Sequence, residues 1–306
     1  FLYSMNSVGQ SRKEDYIRTA IGTTVGIAPT AYLLYDTLKP ISKDTIPMLQ
    51  GVTNNIFPPI DTFQNTKRVA ETIIKNEGLA DKGVHILIAN NTPESQGKLD
   101  NIFKTEKPKF FVKKIKMILQ NGCNACFHEK SNSVIVNDVF ATSGIFHEIG
   151  HAKHYNSKNL LMKLLVKSKN ITPMGVSLVA PIALGIAMFH KTDKTKPQKD
   201  KTKTEKTLDF VSNHAGKLTL ASYIPLVLEE GLASIDGIKM AKKHLSTKQL
   251  STLKTGYFKA WKTYAGTALL IAGAVGLANA IKQGRDNENT PTSTKTNQQQ
   301  TKLITK

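Results

Sequence analysis

Thr142-Ser143-Gly144-Ile145-Phe146-His147-Glu148-Ile149-Gly150-His151-Ala152-Lys153-His154-Tyr155-Asn156 is the stretch on which the reading of this chain turns. It predicts one short amphipathic helix, from about Thr142 to Asn156, directly after a β-branched strand. Residues i and i+4 of a helix lie about 40° apart around its axis, so the imidazoles of His147 and His151 can reach one metal ion. Glu148 then falls beside that ion, where a carboxylate can take a proton from water that the metal acidifies. With 8 His and 11 Glu in 306 residues, the pattern His-Glu-x-x-His is expected by chance roughly 0.008 times. The spacing therefore points to one Zn2+ per chain, held by His147 and His151, with Glu148 as the general base.

Outward from this helix the soluble part, between Ile41 and Asn170, reads as mixed α and β. Asp61 is placed to cap a helix running to about Glu77, with Val69, Ile73 and Ile74 on one face and Gly78 past its end. Val84 to Ala89 reads as a buried strand and Ser133 to Asn137 as a second. Asn124 to His128 can pair with the latter as a hairpin across Glu129 to Asn132. Cys123 and Cys126 are too few and too close together for the disulfide framework of a secreted miniprotein, and Cys126 reads as a strand residue.

A catalytic zinc site needs a third protein ligand and an open position. Most carboxylates after His154 lie in a lysine-rich stretch or in the polar tail, where ordering them would cost entropy. Glu229, Glu230 and Asp236 instead fall on a predicted helix beside apolar residues. Gly231 and Ala233 keep that helix slim enough for close approach to the His147 helix. The run Leu228-Glu229-Glu230-Gly231-Leu232-Ala233-Ser234 resembles the Asn-Glu-Gly-Phe-Ala stretch of the aminopeptidase N family. That resemblance aligns Glu230 with the ligand of the gluzincins. Many gluzincins carry Asp four residues further on to orient a zinc histidine; here Ser234 holds that position and Asp236 follows it. Tyr257, by its place after the ligand helix, is the candidate to steady the oxyanion.

The charge, 42 Lys+Arg against 23 Asp+Glu or +19, is spread without aromatic interleaving or a nucleic-acid fold motif, and no nucleic-acid partner is expected. Three uncharged runs point to lipid instead: Thr19 to Tyr35, with 17 residues, and Ile171 to Phe189 and Thr263 to Ile281, with 19 each. Spanning the hydrocarbon takes about 17 to 25 residues, so each can cross. Leu218 to Leu228 has 11 uncharged residues, is too short to cross unaided, and reads as the return arm of a hairpin with Ile171 to Phe189. Between those arms, Lys191 to Lys217 reads as a solvated loop, and Lys282 to Lys306 as a disordered tail.

A helix with His-Glu-Ile-Gly-His, then His154 and Asn156, then a hydrophobic hairpin and a Glu-x-x-Ala helix resembles the membrane-embedded metallopeptidases related to bacterial HtpX and the CAAX prenyl protease. Asn124-Ala125-Cys126-Phe127 resembles the Asn-Ala strand that precedes the zinc helix in that family. The resemblance runs from about Asn121 to Ala241 and implies an α+β, zincin-like fold with added membrane helices, mostly α overall. It also implies an integral membrane, zinc-dependent endopeptidase with His147, His151 and Glu230 as ligands and a peptide or protein as substrate. The chain then divides into an N-terminal segment with a membrane helix (1–40), a catalytic domain (41–170) and a hydrophobic hairpin (171–230) enclosing the loop 191–217. A ligand helix with its successor (229–262), a membrane helix (263–281) and the tail (282–306) complete it. Two rivals stay open: a site-2-type intramembrane protease, for which Ile235-Asp236-Gly237 would supply a ligand, and a non-catalytic membrane zinc protein.

Overall fold

The computed structural model describes residues 41–107, 109–190, 192–193 and 196–288, the side chains of 170–178 and 284–288 excepted. The expected membrane helix at Thr19 to Tyr35 and the tail from residue 289 lie outside the described residues. The rest is mostly helical, with one small mixed sheet. Among the described residues, one compact unit takes in 41–175 and 222–268, and the other takes in 176–221 and 269–288.

In the first unit, helices α1 (Ile46–Ile56) and α2 (Phe63–Asn76) lead into strand β1 (His85–Ile88). Helices α3 (Pro93–Ile102) and α4 (Lys109–Gln120) follow, then strands β2 (Cys126–His128) and β3 (Ser133–Val136). Thr62, not Asp61, caps α2: its hydroxyl accepts from the Asn65 amide at 3.3 Å, while Asp61 accepts from the Thr62 amide one residue outside the helix. Ile73 and Ile74 are buried as the helical period demands, and Gly78 closes the helix at φ 65°.

The sheet order is β1-β3-β2. β1 runs parallel to β3, with His85 opposite Ser133, and β2 runs antiparallel to it, with Cys126 opposite Ile135. The expected hairpin is therefore present, turning through Asn132 at φ 49°. Central β3 is buried on both faces, which suits its Val-Ile-Val run. β2 is left as an edge.

Asn137 fixes the passage from β3 to the next helix. Its amide nitrogen donates to the carbonyls of Ala89 and Gln120, and its oxygen accepts from the amides of Val139 and Phe140. Helix α5 (Gly144–Tyr155) then packs Ile145, Phe146, Ile149 and Ala152 into a core shared with Ala70, Ile73, Val134 and Val136.

Three long helices complete the chain: α6 (Leu160–Phe189), α7 (Lys203–Ala241) and α8 (Thr247–Glu288). The expected solvated loop 191–217 ends early, because α7 already begins at Lys203. Its start is a capping box, with the Glu205 amide donating to the Thr202 hydroxyl at 3.2 Å and the Thr202 amide to the Glu205 carboxylate at 2.6 Å. Helical backbone breaks once in α7, at His214 (φ −120°, ψ 16°). Within the second unit, Ala183, Leu184 and Ala187 of α6 pack with Ala215 of α7 and with Val275 and Ala278 of α8.

Two of these helices, over Lys203–Ala241 and Thr247–Gln283, are long and apolar enough to cross a membrane. Thr263 to Ile281 lies in the second, as expected. In α6, Val179–Phe189 is apolar; the first part of the expected span Ile171 to Phe189 lies among the side chains that are not described. Leu218 to Leu228, too short when counted as an uncharged run, belongs to a helix of 39 residues.

Candidate metal centre

α5 and α7 touch backbone to backbone, and two glycines allow it. A Cβ on Gly150 would stand 2.2 Å from the Ala233 carbonyl oxygen, and one on Gly237 would stand 2.5 Å from that of Phe146. Gly231, expected to serve this approach, instead faces the Trp261 indole on α8. The close packing brings His147, Glu148 and His151 of α5 against Glu229, Glu230 and Ser234 of α7, and all six are buried.

Three donor atoms converge there. The Nε2 atoms of His147 and His151 lie 2.9 Å apart, and Glu230 Oε2 lies 3.1 Å from the first and 3.6 Å from the second. Ligand atoms bound at 2.0–2.1 Å in a tetrahedral zinc site stand about 3.3 Å from one another. The three edges bracket that figure, so the residues fit the ion. Buried His147, His151 and Glu230 can hold a metal.

The outward-facing nitrogens strengthen the fit. His147 Nδ1 lies 3.1 Å from Ser234 Oγ, and His151 Nδ1 lies 2.8 Å from Glu229 Oε1. Each Nδ1–H thus has an acceptor, which leaves the Nε2 lone pairs facing inward. The same Glu229 oxygen accepts from His154 Nδ1 at 3.0 Å, and Asp236 holds His154 Nε2 at 3.2 Å. Burial works against a charged His154, but its hydrogen bonds to Asp236 and Glu229 outweigh that and raise its pKa.

Lys169 of α6, which no local pattern in the sequence singles out, closes the cluster. Its Nζ lies 2.6 Å from Glu229 and 2.8 Å from Glu230. Burial disfavours that ammonium, but the two carboxylates more than compensate and keep its pKa above the usual lysine range. Burial and Lys169 both depress the pKa of His151, and Glu230 and Glu229 overcome them to lift it to about 10. A cation bound among these atoms would displace that proton.

The cluster opens on a cavity of about 220 Å³, lined also by Glu148, Tyr264 and residues Asn124 to Phe127 of the edge strand β2 and the loop before it. Cys126 is in this wall. Burial first, and then the Glu148 carboxylate, push its thiol far above the ordinary range, so it stays protonated and apolar in character.

No family model, curated protein or solved structure matches this chain. The site is accordingly read from its own geometry.

Tyr257 does not reach the cavity. It is 1% exposed, and its hydroxyl donates to the Ser143 carbonyl at 2.7 Å. Tyr264, two helical turns on and not singled out by the sequence, lines the cavity with Glu230. Asp236, the ligand that a site-2-type arrangement would need, is spent on His154 and Lys239. α5 has 12 residues, too few to cross a bilayer. His128 stands apart, bonded to Ser131.

Proposed function

We propose that the protein is a membrane-anchored, zinc-dependent endopeptidase, as the resemblance of its α5 and α7 motifs to the HtpX-related peptidases implies. The observation that carries the reading is that Glu148 opens into the same cavity as the converging atoms of His147, His151 and Glu230. His147, His151 and Glu230 would hold the zinc, which when bound would supply Lewis acidity toward water and a carbonyl. The protein's own groups do the rest. Glu148 accepts the proton of the attacking water and returns it to the leaving amine, the two halves of general base and acid work. Tyr264 offers a hydroxyl to the carbonyl oxygen as charge develops there. The edge strand β2 provides free backbone groups against which an extended peptide can pair. Ser234 and Glu229 hold the two imidazoles in register, and α7 and α8 supply the membrane anchor.

A non-catalytic zinc protein would have no use for an acidic residue beside an open cavity. The test is Glu148→Gln in the zinc-loaded full chain in detergent, assayed on an unstructured protein substrate. Zinc content should stay at one per chain while peptide cleavage falls by at least about 100-fold. Equal cleavage by variant and parent would refute the mechanism.

A further inference from the structure

The reverse face of α7, away from α5, borders a groove of its own. Glu229, Glu230 and Ser234 face α5, whereas Leu228, Leu232 and Ile235 turn the other way and are exposed. With Tyr257, Phe258 and Trp261 of α8 they line a groove of about 390 Å³ whose walls are almost wholly apolar. The groove follows α7 from Val227 to Ile238, about 17 Å at 1.5 Å per residue. Trp261 pins its far end, its indole N–H donating to the Val227 carbonyl at 3.1 Å and its ring stacked on Phe258. Lys254 is the one charged residue in the lining, and it lies at the Ile238 end.

The polarity of the groove matches the polarity of the two helices that build it. Past Ile238 come Lys239 in the last turn of α7 and Lys242 and Lys243 just after the helix; past Trp261 and Lys262, α8 enters its uncharged run, Thr263 to Ile281. One end is therefore basic and the other leads toward the stretch suited to hydrocarbon. Trp261, next to this junction, is of the kind that settles at the membrane–water interface, whereas Tyr257 is buried with its hydroxyl on the Ser143 carbonyl.

We infer that this groove binds one acyl chain of an anionic phospholipid, with the headgroup at Lys254 and the chain running past Leu232 to Trp261. A zwitterionic lipid would offer the same chain but less to Lys254. Leu228, Leu232 and Ile235 alternate along two helical turns with Glu229 and Glu230, and Ser234 borders the groove as well. The inference rests on the membrane half of the proposed function and not on the peptidase half.

Trp261 is the only tryptophan in the chain, so its fluorescence reports the groove directly. The full chain is reconstituted in phosphatidylcholine vesicles containing a few per cent of either brominated phosphatidylglycerol or brominated phosphatidylcholine, and quenching is compared. The anionic lipid should quench about fivefold more effectively, the preference that one basic residue near a bilayer commands. Lys254→Gln should bring the ratio close to one while vesicle association and Tm are retained. Equal quenching by the two lipids in associated protein overturns the groove assignment alone. So does a Lys254→Gln variant that keeps the preference, since general attraction to a protein of charge +19 would then explain it. Failure of the protein to associate with vesicles overturns both the groove and the membrane anchor.

Discussion

Two buried His/Glu groups share His151, and they differ in what their atoms have left to do. In the first, His147, His151 and Glu230 turn Nε2, Nε2 and a carboxylate oxygen toward one point on the cavity wall. In the second, His151, His154 and Glu229 also lie close enough to hold an ion, but a single Glu229 oxygen serves both Nδ1 atoms. Its other oxygen is on Lys169, and the far nitrogen of His154 is on Asp236. The second group's atoms are held by partners on different sides, whereas the first group turns three donor atoms toward one another at 2.9 to 3.6 Å, the arrangement that a bound cation would take over from the His151 proton. Residue type and proximity are alike in the two groups. The partners of the outer atoms separate a ligand set from the scaffold that orients it.

The comparison breaks most sharply at the paired glutamates. Glu230→Gln should lower zinc affinity, measured by competition with a chelating dye, by more than about 100-fold, beyond what loss of an orienting partner causes. Glu229→Gln should cost about 10- to 100-fold and leave the stoichiometry at one, because His151 Nδ1–H exchanges a carboxylate acceptor for a weaker amide oxygen but no ligand is removed. If the two values came in the reverse order, the roles of the groups would be exchanged. Ser234→Ala removes a neutral hydrogen bond to His147 and should weaken zinc binding only about fivefold, in keeping with about 1 kcal/mol for such a bond. Asp236→Asn, two steps from the proposed ion through His154 and Glu229, should have the smallest effect, within about twofold. A large effect there would place the ion in the second group.

How legible these features were in the sequence follows from how local their causes are. His147 and His151 are joined by helix geometry alone, and the β2–β3 hairpin by turn and alternation, so both could be read directly. Glu230 lies 83 residues from His147; placement on an ordered helix narrows the carboxylates to Glu229, Glu230 and Asp236, and the resemblance to the aminopeptidase N stretch, with the small Gly231 and Ala233 beside it, points to Glu230. Ser234 was legible as a position, without the sign that a hydroxyl there would bond His147. Lys169 was not legible: among 42 basic residues, nothing local marks the one that folds onto two carboxylates. Tyr257 and Tyr264 share a helical face, and only depth in the packing, which the period does not encode, separates the buried one from the one lining the cavity. The early start of α7 had a local sign, the Thr202-x-x-Glu205 box, hidden within a lysine-rich composition that argued for loop.

The central claim, that the inward-facing group is the metal site, is tested most directly by anomalous diffraction at the zinc edge from crystals of the zinc-loaded full chain. The account predicts a single peak about 2.0–2.2 Å from Nε2 of His147, Nε2 of His151 and a carboxylate oxygen of Glu230. A peak among His154, Glu229 and Nδ1 of His151, or no peak at either group, would contradict it.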